Sequence, residues 1–314
     1  MDQGLRIFIT VAKTRSFSRA AEELHLTQPA VSQQIRSLES RYDTRLFERN
    51  NKSVELTPAG KILFREGTEI LNQYARTKRL IEDLTQSANG PLSLGASYTF
   101  GEYVLPPVLA KFCAHYPQIR PKVTIHNTQR IAEEVRRRML DIGLVEGKID
   151  HPELEILPVS EDELFVTLSA NHPLASAGKV HVKDLADERW ILRENGSGTR
   201  DVANQFFKDT GLSPKNILEF GSTQVIKESV ETGLGLSILS PWSFRKELLL
   251  GTLHTLSVQG ISMRRHFYAL TRATSFHTKA MDLFLDFLTP ELHNHPFPTT
   301  HAHLSLEPPQ NEGL

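Results

Sequence analysis

Two stretches of this chain carry residue types and spacings that could do chemistry, and in both it is the chemistry of recognition. The first is Asn195-Gly196-Ser197-Gly198-Thr199-Arg200. Its two glycines let the backbone turn N–H groups toward a ligand. The helix start beyond them adds a positive end, and Arg200 adds a fixed charge. Such a turn suits a carboxylate, sulfate or phosphate. A glycine-rich turn alone says little; hydroxyls and an arginine at a helix start say more. The second stretch is Phe17 to Leu38, FSRAAEELHLTQPAVSQQIRSL. There Gln28, Pro29, Ser32, Gln33 and Arg36 share one polar face. Amide and guanidinium groups presented this way can read base edges in a major groove, with Gln forking onto adenine and Arg onto guanine. A helical hairpin with an ordinary solvated face is the plain alternative.

Enzyme chemistry finds little support. The chain has no G-x-S-x-G elbow, no H-E-x-x-H pair and no G-x-x-x-x-G-K-[ST] loop. Its dense acidic run, Glu161-Asp162-Glu163, reads as a solvated strand edge rather than an acid/base pair. No cofactor or metal is expected. The tail histidines His293, His295, His301 and His303 lack accompanying Cys or carboxylates, and the residues from 291 to 314 read as disordered. With 36 basic and 37 acidic residues the chain is nearly neutral, so any affinity for nucleic acid must come from a local basic surface. Cys113 is the single cysteine, which excludes an internal disulfide and suits a reducing cytosol. It sits in VLAKFCAHY, which reads as buried helix. No apolar run approaches membrane-spanning length, and the first residues lack a signal-peptide pattern. A cytoplasmic protein without membrane contact is expected.

The elements that must position the polar face are helices. Residues 2 to 14 form an amphipathic helix with Leu5, Phe8, Ile9 and Ala12 on one side. Ala20, Ala21 and Leu24 make a small apolar face on the next, and Val31, Ile35 and Leu38 recur at i, i+4 and i+7 on a third. Ser18 and Thr27 are the expected N-caps. The run TRLFERNNKSVELTPAG then reads as a two-stranded wing, with a turn at Asn50, Asn51 and Lys52. Arg45, Arg49 and Lys52 are placed to touch phosphate; a solvated hairpin with incidental basic residues is the alternative. Thr57-Pro58 starts a helix expected to run to about Ser87. Leu63, Gly67, Ile70, Tyr74, Thr77, Ile81 and Leu84 form a heptad seam on it, which points to a partner helix from a second copy.

Beyond Asn89-Gly90-Pro91 the pattern changes to short strands alternating with helices. That rhythm predicts a mainly parallel sheet with helices on both faces. Leu164–Ser169 and Arg264–Leu270 read as strands passing between two lobes. In such sheets ligands bind outside the carboxyl ends of strands. Those positions hold Ser97 and Thr99; Asn127 and Thr128; Glu146; Asn195, Ser197, Thr199 and Arg200; and Ser222 and Thr223. Any one hydroxyl could equally be a helix cap; their convergence on one cleft favours a binding site.

The FSRAAEELHLTQPAVSQQIRSLE stretch, LFERNNKSVELTPAG, NHPLA at Asn171–Ala175 and GLGLSILS at Gly233–Ser240 together resemble the LysR-type transcriptional regulators, over about residues 1–290. The resemblance implies a multi-domain chain. Residues 1–58 would be a mainly-α winged helix-turn-helix domain and 59–88 a long linker helix that makes a homodimer. Residues 89–290 would be a two-lobed α/β effector domain like periplasmic binding proteins. Its first lobe would span about 91–162 and 265–290, its second about 163–264. The family also implies a tetramer on an interrupted palindrome in double-stranded DNA, with RNA polymerase as a further partner. Gln28, Pro29, Ser32, Gln33 and Arg36 would face the groove, supported by Ser18, Arg19, Thr27, Arg49, Asn51 and Lys52. Ser97, Thr99, Thr128, Ser197, Thr199 and Thr223 would line the effector cleft, with Gln129, Glu146, Gly198 and Arg200 beside them. RENGSGTR is similar to the run in regulators of Calvin-cycle carbon fixation and of sulfite reduction, which respond to small anionic or phosphorylated metabolites. Two other readings stay open: a solute-binding receptor with an unusual N-terminus, which would bind ligand and not DNA, and a cytosolic enzyme, which would turn its ligand over.

Overall fold

The computed structural model describes residues 2–50, 53–83, 89–147, 149–177, 179–273 and 276–294. The chain divides into two compact units, one of residues 1–86 with 137–139 and one of residues 87–136 with 140–314.

The first unit contains α1 (Asp2–Thr14), α2 (Phe17–Glu23), α3 (Gln28–Tyr42), the hairpin β1 (Phe47–Asn50) and β2 (Ser53–Leu56), and α4 (Pro58–Asp83). Phe8, Val11, Ala20, Ala21, Val31, Ile35 and Phe47 form its core. Thr27 caps α3 by accepting the Ala30 N–H at 3.4 Å, with Pro29 in the first turn. The cap of α2 is Ser16 rather than the expected Ser18. Phe17 packs edge-on against Phe47, with ring centroids 5.7 Å apart, which places Phe17 in the first helical turn and moves the cap back to Ser16. Thr57 caps α4, accepting the Gly60 N–H at 3.0 Å. Gly60 has to be glycine: a Cβ there would lie 2.1 Å from the Leu46 carbonyl oxygen.

The heptad seam of α4 divides in two. Leu63 and Gly67 turn toward the unit's own core, where a Cβ on Gly67 would meet the Leu5 side chain at 2.6 Å. Ile70, Tyr74 and Ile81 are 55, 64 and 62% exposed. Leu84 and the expected helix end near Ser87 lie outside the described residues, as do Asn51 and Lys52 of the wing turn.

The second unit begins with β3 (Gly90–Ala96), one turn of π-helix (Phe100–Val104), α5 (Leu105–His115), β4 (Ile119–Ile125), α6 (Thr128–Arg136) and β5 (Ile142–Glu146). The long β6 (Leu154–Ser169) leads to β7 (Lys179–Val180), β8 (Arg189–Arg193), α7 (Gly198–Thr210), β9 (Asn216–Phe220) and α8 (Thr223–Glu231). Then come β10 (Ser237–Leu239), α9 (Pro241–Leu250), β11 (Leu253–Val258), β12 (Met263–Arg272) and α10 (Lys279–Asn294). One lobe is built around Leu94, Phe100, Phe112, Phe267 and Phe284, the other around Val166, Trp190, Phe206 and Leu236.

The sheet is more mixed than the strand–helix rhythm predicts. β3 pairs β4 and β5 in parallel, and β8 pairs β9 in parallel. β12, however, runs antiparallel to both β5 and β6, and β10 and β11 run antiparallel to β6. The chain crosses between lobes twice, outward on β6 and back on β12, so the two crossing strands must oppose each other. β6 starts at Leu154, well before the expected Leu164, because its acidic, Pro158-containing first half pairs with β12.

Other local expectations need correction. Cys113 is exposed: Leu105, Val108 and Phe112 make the buried face of α5, and the next residue after Phe112 turns outward. α10 continues through Pro290 to Asn294 instead of ending where a tail was expected, because Leu288 and Leu292 are buried in the lobe core and Glu291 pairs with Lys111. His295, His301 and His303 lie outside the described residues.

One ionic cluster sits where the crossing strands meet. Arg265 on β12 donates from Nε to Asp162 on β6 at 2.7 Å and from Nη1 to Thr199 Oγ1 at 2.9 Å, and its Nη1 stands 3.6 Å from Glu146 at the end of β5. Ser240, the cap of α9, donates to Asp162 at 2.8 Å, and Ser97 donates to Glu146. All three charged groups are at most 5% exposed. Burial pushes both carboxyls above their ordinary range, opposed by the Arg265 charge. Asp162 was expected on a solvated edge. It is the inward member of an alternating strand, with exposed Glu161 before it.

Two outcomes follow for stability. Gly60→Ala should cost about 1–3 kcal/mol or more, since the added methyl meets backbone rather than a movable side chain; urea unfolding measures it. Arg265→Met should cost about 3–5 kcal/mol by stranding two buried acids. The raised folded pKa of each acid means its contribution to stability is full below its unfolded value of about 4 and is lost as pH rises. The defect should therefore deepen from acid toward neutral pH in melting curves, and a pH-independent defect would contradict this assignment.

Candidate functional site

On the first unit, Val31, Ile35 and Leu38 fill the inner face of α3. Gln28, Pro29, Gln33 and Arg36 are exposed on the other side, and Ser32 is half-buried, accepting the Gln28 amide N–H at 3.0 Å. Ser18, Arg19 and Thr27 are exposed at the neighbouring helix starts, and Arg45 is exposed before the hairpin. Arg49 lies on β1. The solvent side of α3 carries amide and guanidinium groups and is backed by a packed core. Small Ala20 and Ala21 are buried where α2 meets that core.

On the second unit, the hydroxyls expected to line a cleft do converge, and most are already engaged. Ser97 and Thr128 both bond Glu146, the latter donating to its carbonyl at 2.8 Å. Thr199 accepts from Arg265 at 2.9 Å. Thr223 accepts from Arg193 Nη1 at 3.1 Å. Ser197 starts α7 and Thr99 starts the π-turn; both are buried, and neither side chain makes a capping bond. Gly198 allows α7 to begin against β5, since a Cβ there would lie 2.1 Å from the Glu146 carbonyl oxygen. Gln129 donates its backbone N–H to the Gly196 carbonyl at 3.1 Å across the seam between lobes. A cavity of about 500 Å³ at this seam is lined by Thr128, Gln129, Glu133, Arg136, His151 and Gly196. A second, of about 390 Å³, lies between α7 and β12 beside Gly198, Asp201, Arg264 and His266.

Arg200 does not present a free charge. Its guanidinium donates to the Arg193 carbonyl at 2.7 Å, to Glu219 at 2.9 Å and to Asn204 at 3.0 Å, so it braces the turn. The buried cation at the seam is Arg193 instead, 2% exposed, with the Tyr98 ring 4.3 Å from its guanidinium carbon. Lys227, also buried, pairs with Glu247 at 2.8 Å. Tyr103 donates to Gln224 at 3.2 Å across the same seam, and burial and nearby acids push its hydroxyl well above its ordinary range. Sequence reading missed Arg193, Glu194, Lys227 and Arg265. Arg193 ends the apolar strand WILR, and Arg265 lies among alternating apolar positions of MRRHF; a cation at a strand position that should be buried was the available signal.

Among the described residues, no group of three or more His, Cys, Asp or Glu side chains is arranged to hold a metal, and no helix is long and apolar enough to cross a membrane. Comparison with known proteins is consistent along the chain. Residues 3–61 match the bacterial regulatory helix-turn-helix protein, lysR family, and residues 85–293 match the LysR substrate binding domain. The chain is 37% identical to the HTH-type transcriptional regulator CysL of Bacillus subtilis, over 90% of this chain and 95% of that one. It is 34% identical to a probable RuBisCO transcriptional regulator of Cyanidioschyzon merolae, again over 90% and 95%. Full-length CbnR complexed with its target DNA has the same fold, with a TM-score of 0.70 at 20% identity over 92% of this chain and 98% of that one. These relatives are regulators rather than enzymes. The chain belongs to the LysR family: it is a helix-turn-helix transcriptional regulator with a LysR-type effector-binding domain.

Proposed function

We propose that this regulator binds an interrupted palindrome in double-stranded DNA and that a small anionic metabolite, bound between the lobes of the second unit, modulates that binding. Residues 1–58 would read DNA, 59–88 would join two copies and 89–290 would sense the effector. The observation that carries the anion reading is Arg193, a buried guanidinium at the end of β8, set in the run RENGSGTR beside the starts of α7 and α8. The regulatory domain of CcmR from Synechocystis PCC6803, solved in complex with 2-PG, supports it. That domain is 28% identical over 66% of this chain and all of that one, with a TM-score of 0.62. Ser97, Thr99, Thr128, Gln129, Ser197, Gly198, Thr199 and Thr223 would shape the pocket. Glu146 would hold its floor and Arg200 its turn.

Gln28, Pro29, Ser32, Gln33 and Arg36 would face base edges. Ser18, Arg19, Thr27, Arg49, Asn51 and Lys52 would hold the phosphates. Ile70, Tyr74 and Ile81 expose apolar surface on one helix, which suits a homodimer through α4. A dimer presents two copies of α3 to two half-sites about 34 Å, one helical turn, or a multiple of it apart. Pairs of dimers would make the tetramer, with RNA polymerase as a further partner in the cytoplasm. Ligand and DNA would be coupled by about 1–3 kcal/mol.

Two substitutions separate reading from holding. Gln33→Ala should relax base choice at one operator position. Arg45→Ala should weaken every sequence alike and lower the salt slope by about one. Footprinting over a salt series checks both, and equal, sequence-independent losses from the two would contradict the assignment. Tyr74→Glu should weaken the dimer, which sedimentation at increasing concentration would report as a shift toward monomer; an unchanged dimer would remove α4 from the interface.

A further inference from the structure

β8 ends at Arg193, and the next residue folds back on it. Neighbours within a strand point to opposite faces. Arg193 and Glu194 can meet only because the chain leaves the strand between them. The Arg193 guanidinium donates from Nε to Glu194 Oε2 at 2.8 Å and from Nη2 to Oε1 at 2.9 Å. This is the two-pronged geometry by which arginine holds a free carboxylate or phosphate. Its third nitrogen, Nη1, donates to Thr223, and the Tyr98 ring lies against its face.

The two partners differ in access. The Arg193 side chain is 1% exposed and that of Glu194 is 24% exposed. The cation is therefore part of the floor, while its anion stands on the solvent side. Contrast Arg265, whose acids are 1% and 0% exposed and cannot be approached. Lys227 is bound to Glu247, which is 15% exposed. Glu194 also accepts the Asn127 amide N–H at 3.2 Å, and Asn127 precedes α6 in the other lobe. One carboxylate thus occupies the arginine and ties the lobes together.

We infer that Glu194 is a built-in stand-in for the effector: an oxyanion of the ligand takes the two Arg193 donors, Glu194 swings toward solvent, and its tie to Asn127 is released. This rests on the anionic-effector reading above and adds to it a competing group of the chain's own and a route from binding to lobe movement. Burial alone would raise the Glu194 carboxyl, but hydrogen bonds and charge from Arg193, with help from Asn127, hold it below its ordinary range. At neutral pH the stand-in is therefore a full anion, a true competitor for an anionic ligand.

Calorimetric titration of the full chain with sodium sulfate and inorganic phosphate tests this. Glu194→Gln keeps the shape and removes the competing charge, so it should bind either anion about tenfold more tightly than wild type, the scale of one charge-assisted pair withdrawn from the competitor. Arg193→Gln should lose binding. Arg193→Lys, which keeps the charge without the fork, should lose most of it, and it serves if the glutamine variant does not fold by circular dichroism. Unchanged or weaker binding in Glu194→Gln, with binding still lost on changing Arg193, would overturn the stand-in and leave the anion reading intact. Binding in the Arg193 variants equal to wild type would overturn the inference, because the receptor group would lie elsewhere. Failure of wild type and Glu194→Gln alike to bind either anion would overturn both readings.

Discussion

The second unit depends on one buried guanidinium. Arg265 lies on β12, where the chain returns between lobes, and touches Asp162 on the outgoing strand, Glu146 at the end of a first-lobe strand and Thr199 at the start of a second-lobe helix. A charge taken this far from water is stable only while its partners stay in place. The crossing strands, the end of β5 and the start of α7 are therefore held in one register by a shared penalty for separation. Ser97 and Ser240 complete the cluster, so the hydroxyls at the strand ends serve the protein's own ions before they serve any ligand.

Around that fixed point, the seam between lobes is closed by weaker and more accessible ties. Asn127 meets Glu194 at 3.2 Å, the Gln129 backbone meets Gly196 at 3.1 Å, and Tyr103 meets Gln224 at 3.2 Å. These are single hydrogen bonds near solvent, each worth only about 0.5–1.5 kcal/mol net, more where a charged group takes part. Such a graded arrangement suits a sensor. The Arg265 cluster at the crossing strands is closed off from solvent, while the rim contacts are few and partly exposed. Arg193 belongs to the rim rather than to that cluster because its anion is partly exposed.

The first unit solves a simpler problem with local means. A small core around Phe8, Ile35 and Phe47 leaves the polar side of α3 outward. Gly60 brings α4 onto the Leu46 backbone, and Thr57 caps it in the same step. Gly67, which interrupts the heptad seam, is where α4 packs on Leu5 of its own chain. The seam's break is thus the boundary between intrachain packing and the exposed apolar stretch at Ile70, Tyr74 and Ile81.

What could be read from the sequence alone was local or periodic. Val31, Ile35 and Leu38 announce the inner face of α3, Thr27 and Thr57 announce helix starts, and alternating strands and helices announce two α/β lobes. These signals lie within a turn or two of helix, or in the order in which such short segments follow one another, where backbone geometry ties spacing to direction. The antiparallel crossing strands, the pairing that buries Asp162 and the bracing role of Arg200 were decided only by tertiary structure. Arg265 and Asp162 are 103 residues apart in the chain. No local pattern reports which cation a distant carboxylate will meet, because that choice is made when the lobes close over it and water leaves.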